Sequence, residues 1–132
     1  MADRLKSLRR IEAVQAQMVR LAEWRLAAAE RSCREAADDQ ARLRDYIAAD
    51  DPHGLPLARA ALQSIKDVDR KLASADRERT VQKTALDHLR RRERVASAMA
   101  EAAAAVARRE GEDRDLTVTI EAWLAAQSTS LP

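Results

Sequence analysis

The chain has 132 residues, enough for one small domain, and its 24 basic and 22 acidic residues leave a formal net charge of +2. It has no Phe and only three aromatics, Trp24, Tyr46 and Trp123, so a compact core built on large aromatic side chains is excluded. Near-balanced charge makes no demand for a nucleic-acid partner, and Cys33, the single cysteine, excludes an intramolecular disulfide or a thiolate cluster.

The remaining composition is Ala, Arg, Leu, Glu, Asp and Gln, with charged residues at 35%, which is the signature of a coiled coil or long helix. No apolar run approaches the roughly 20 residues needed to cross a bilayer. The N-terminal stretch Met-Ala-Asp-Arg-Leu-Lys-Ser-Leu-Arg-Arg lacks the apolar segment of a secretory signal. With the lone cysteine, these features predict a cytoplasmic protein.

The first helix is predicted over about residues 3–49, with Asp3 as its N-cap. Leu8, Ile11, Met18, Ala22, Ala29, Cys33, Ala36, Gln40, Leu43 and Ile47 form its apolar stripe. Their spacing drifts from a strict heptad, as where coiled-coil packing contains stutters.

Asp50-Asp51-Pro52-His53-Gly54-Leu55-Pro56 then holds two of the three prolines and one of the two glycines, and predicts a sharp reversal over 50–56. Pro52 biases Asp51 away from helical geometry, Gly54 can take positive φ, and Pro56 suits a helix's first turn.

The second helix is predicted over about 57–109. Ile65, Val68, Leu72, Ala75, Arg79, Gln82, Leu86, Leu89, Glu93, Ala96, Ala100 and Ala103 alternate by three and four. Antiparallel pairing about the reversal sets Leu43 near residue 63, Ala29 near 77 and Met18 near 88. It gives a two-stranded part about 70 Å long. Beyond about residue 105 the chain has no partner from the first helix. Arg108-Arg109-Glu110-Gly111-Glu112-Asp113 is expected to break or kink the helix, leaving an overhang over 110–127. In that overhang Leu116, Ile120, Trp123 and Leu124 share one face, although Thr117-Val118-Thr119-Ile120 has some strand character. The predicted fold is therefore all-α: a long antiparallel two-helix coiled-coil hairpin with an overhanging C-terminal helix.

Such a hairpin has no water-excluding interior for catalysis. His53 and His88 fall at opposite ends of it, and there is no phosphate-cradling glycine loop, His-Glu-x-x-His or Cys-x-x-Cys. No enzymatic activity and no cofactor or metal is expected, and Cys33 reads as a small seam residue.

Three features point to partners instead. Arg90, Arg91, Arg92 and Arg94 are crowded into little more than one turn, and the pairing sets them beside Arg4, Lys6, Arg9 and Arg10. This is either a solvated, salt-bridged face or an electropositive collar that grips an acidic protein surface. Nucleic acid could bind it by counterion release, but interleaved aromatics for base stacking are missing. Leu43 and Tyr46 lie beside the reversal, as packing residues or as a docking tip. Leu116, Ile120, Trp123 and Leu124 have no obvious cover, which marks an interface, a fold-back onto the hairpin or a homo-oligomer contact.

With its shorter first helix, tight reversal, longer overhanging second helix and Arg-rich faces, the chain resembles the FliJ family of flagellar type III export proteins and its YscO-type injectisome counterparts. The resemblance implies a non-enzymatic stalk that inserts into the export ATPase hexamer. It implies contact with the cytoplasmic domain of the export gate, escort of export chaperones, and a peripheral inner-membrane location through these partners. The gate contact would fall on Leu43 and Tyr46, which match a Leu-x-x-Tyr spacing, while Asp50 stands where the next aromatic is expected. The stalk contact would fall on the two ends of the chain, including Leu5, Leu8 and residues 108–124. The other readings are a coiled-coil adaptor or structural rod in another complex, and a basic nucleic-acid-binding hairpin.

Overall fold

The computed structural model describes residues 2–49 and 55–129, all of them helical. Helix α1 spans Ala2–Ala49 and helix α2 spans Leu55–Thr129, and the two pack against each other. The expected reversal at Asp50, Asp51, Pro52, His53 and Gly54 lies outside the described residues. Pro56 falls in the first turn of α2, where its missing N–H has no intrahelical acceptor to lose.

Burial runs along α1 in a strict alternation of three and four. Leu5, Leu8, Glu12, Gln15, Val19, Ala22 and Leu26 open the series, which continues through Ala29, Cys33, Ala36, Gln40 and Leu43 to Ile47. The expected drift is therefore corrected. Ile11 and Met18 belong to a neighbouring exposed line, and the seam passes through Glu12, Gln15 and Val19 instead. The apolar stripe of α1 is wider than the surface it buries.

On α2 the covered positions follow the expected register from Ala61 to Glu110, with Arg79 as the exception. Arg79 is exposed and its guanidinium bonds the carboxylate of Asp76 at 2.6 Å. Turning outward spares a charged group the cost of leaving water. The expected break near residue 109 is absent, and α2 runs unbroken through Gly111. A Cβ built on Gly111 would meet nothing within 4 Å. The strand-like 117–120 segment is helical too. The Thr117 and Thr119 hydroxyls donate to the carbonyls of Asp113 and Asp115, so the β-branched residues return a hydrogen bond to their own helix.

The chain divides into two compact units, residues 1–16 with 91–132, and residues 17–90, rather than the single unit expected. In the second, Val19, Ala22 and Leu86 form the buried cluster, flanked by Leu26 and Leu89. Gln40 of α1 donates to Asp69 of α2, and Glu23 pairs with Arg90 at 3.5 Å. The expected register set residue 23 opposite about residue 83, so the ion pair lies about two turns further along α2. A three–four seam accepts several registers, and cross-helix polar pairs choose among them. In the first unit the buried residues are Ala96 and Ala100, the latter with no exposed surface. Alanines there let helix backbones approach closely. Gln15 also belongs to this unit, and its side-chain oxygen is buried without a hydrogen-bond partner.

Two substitutions test this core. Among the described residues Leu86 is the only large side chain of α2 that is buried, and Leu86→Ala should cost about 2–3 kcal/mol in unfolding followed by circular dichroism. Gln15→Leu removes an unsatisfied acceptor from the seam and should raise stability by roughly 1 kcal/mol.

Candidate protein-interaction surface

The arginines expected to form one collar are divided. Arg4 lines an open groove of about 250 Å³ in the first unit, together with Leu8 of α1 and Met99, Ala102, Ala103, Val106 and Ala107 of α2. Arg90 belongs to the other unit and pairs with Glu23. Arg4 therefore sits beside Met99 to Ala107 rather than beside Arg90–Arg94, because the register differs from the expected one. Arg9 pairs within its own helix with Glu12 at 3.3 Å. Arg10, Arg91, Arg92 and Arg94 are exposed. Exposed ion pairs such as Arg9–Glu12 and Glu23–Arg90 contribute about 0–1 kcal/mol each, so they dilute the positive field more than they stabilise the fold.

Near the end of α1, Leu43 and Tyr46 differ. Leu43 is half-buried at a seam position, whereas Tyr46, three residues on, is 64% exposed. Tyr46 is thus the one of the pair presented outward. Cys33 is buried, as expected for a seam residue, and His88 is exposed. Among the described residues no cluster of three His, Cys, Asp or Glu could hold a metal ion, and no helix is long and apolar enough to cross a membrane.

Among the described residues, the largest unpartnered apolar surface lies on α2. Every residue from Glu112 to Thr129 is exposed. Leu116, Ile120 and Leu124 project there together with Trp123, which is 60% exposed. Sequence reasoning identified these four. It missed that the same face continues backward through Met99, Ala102 and Val106 to the groove edge. The signal was present as spacing: Met99, Val106 and Ile120 fall on one seven-residue line, and Ala102, Leu116 and Trp123 on the next. Ile11 and Val14 form a smaller exposed patch on α1 of the same unit.

Charge is unevenly placed around these surfaces. After Gly111 the tail carries Glu112, Asp113, Asp115 and Glu121 against Arg114 alone, whereas Arg4 and Arg109 stand at or near the groove. Exposed apolar side chains bordered by charge are suited to binding a helix or groove of another protein, not to binding a small molecule. Compared with known proteins, the chain matches no family model, no curated protein and no solved structure.

Proposed function

We propose that the chain is an antiparallel coiled-coil hairpin that works as a non-enzymatic protein-interaction element, with the end of α2 as its docking surface. The observation that carries this reading is the stretch after Gly111. There α2 stays helical while Leu116, Ile120, Trp123 and Leu124 find no cover among the described residues. An isolated helix gains little from propensity alone and most helical stability comes from packing an apolar face, so such a face is built for a partner.

The antiparallel hairpin is supported by the two cross-helix contacts of the 17–90 unit. Gln40 meets Asp69, and the earlier Glu23 meets the later Arg90. The three–four alternation of burial supports the coiled coil.

The partner we propose is the hexameric ATPase of a type III export apparatus, with the chain as its stalk. The resemblance in helix order and in the relative lengths of the two helices supports it, as does the acidic, apolar tail. Tyr46 is the candidate second contact, toward the export gate.

Mixing the purified chain with an export ATPase should promote ring assembly and raise ATP turnover. Absence of both effects would remove the stalk reading and leave only the interaction element. Ile120→Ala with Trp123→Ala should weaken partner binding by about tenfold or more, because buried aromatic anchors dominate interface energy. Helix content should stay near its starting value, since both side chains are exposed. A collapse of helicity would instead make these residues part of the fold.

A further inference from the structure

The exposed face of α2 is complementary to itself. Two adjacent lines run along it at seven-residue intervals. Met99, Val106, Asp113 and Ile120 form one, and Ala102, Arg109, Leu116 and Trp123 form the other. All eight residues are exposed and all belong to the unit formed by residues 1–16 and 91–132. A helix laid antiparallel on this face, with its two-fold axis at residue 111, meets one line with the other at every step. Met99 then faces Trp123, Ala102 faces Ile120, and Val106 faces Leu116. Next to the axis Arg109 faces Asp113, and symmetry repeats that pair on the other side.

We infer that this face is an interface between two copies of the chain, packed antiparallel through α2 and locked at its centre by reciprocal Arg109–Asp113 ion pairs. Three observations select a second copy as the occupant. Each apolar position meets an apolar position, and the bulky Ile120 is matched to the small Ala102. The one charged step pairs opposite signs, and it does so twice by symmetry. Among the described residues, neither Arg109 nor Asp113 has an ion-pair partner in its own chain, although they stand four residues apart on one helix. Arg-before-Asp is the weaker order for an intrahelical pair, which leaves both groups available to bond across the axis. The groove edge adds to the match, since Arg4 lies beside Ala102 and Val106, against which the acidic tail of the second copy would rest. Such an isologous contact closes on itself and ends at a dimer.

The dimer stands on the α2 face alone and needs no assumption about the export ATPase. It adds a regulatory consequence to the proposed function: the tail that docks a partner is covered in the dimer, so partner binding and self-association compete.

Sedimentation equilibrium of the full chain at micromolar concentration should give twice the chain mass. Arg109→Glu and Asp113→Arg should each raise the dimer dissociation constant by roughly tenfold or more, because each places like charges at both central contacts. The double variant Arg109→Glu, Asp113→Arg should recover dimerisation. A second measurement uses Val106→Cys with Leu116→Cys in a Cys33→Ala background. These positions are ten residues apart on one helix, about 15 Å, too far for a disulfide within a chain. Oxidation should therefore give a covalent dimer. A monomer with intact helicity, a dimer indifferent to both charge reversals, or no cross-link between positions 106 and 116 would each overturn the inference. Self-association is measured without any ATPase, so its failure is distinguishable from failure of the stalk reading.

Discussion

Everything in this chain depends on a narrow buried seam repeated at alternating steps of three and four. Side chains at those positions are the ones most withdrawn from water, and several are alanines, so the area buried per residue is small. At roughly 25 cal/mol per Å² of apolar surface, such a seam stabilises each turn modestly. The helices must therefore be long to hold together, and most residues off the seam remain available to solvent or to another chain. Polar residues on the seam, Gln15 and Gln40 among them, weaken it further while restricting which registers fit.

Helix α2 makes the functional problem explicit by continuing after its covered positions end at Glu110 and Gly111. A polar, charged tail would need no further explanation, because water would satisfy it. This one carries a Trp, an Ile and two Leu on a common face, and the only nearby compensation is a set of acidic side chains. A surface of that kind raises the free energy of the isolated chain and lowers that of a complex. The proposed docking and the proposed dimer both follow from that imbalance, and they draw on the same side chains. The chain's association state therefore sets how much of the tail is open to another protein.

Much of this was legible in the residues. The Pro- and Gly-rich segment at 50–56 correctly separated two helices, and the seam of α2 was readable because Leu72, Leu86 and Leu89 stand out against Arg and Glu. On α1 the reading slipped by one residue at Ile11 and Met18. Seven-residue lines next to one another have equal periodicity, so a wide apolar stripe does not say which line is covered. The unbroken passage through Gly111 was missed for a different reason. Local signals for a helix stop were strong, but the threonine hydroxyls that return hydrogen bonds to α2 have no one-dimensional signature. The divided arginines show a third limit. Their clustering in sequence was plain, yet which residues of α1 lie beside them depended on a register that the three–four pattern leaves open.

Gly111 gives α2 a mechanical character as well. A glycine inside a helix costs about 1 kcal/mol relative to alanine, and here it coincides with the last covered position on the seam. Bending compliance is therefore concentrated at one point, with a braced stretch of helix before it and a free stretch after it. The tail can swing as a stiff lever about that point without disturbing the packed residues. Its four apolar side chains stay in fixed relation to one another while their aim changes. A partner then captures a pre-formed face by fixing a single hinge angle rather than by ordering an entire segment.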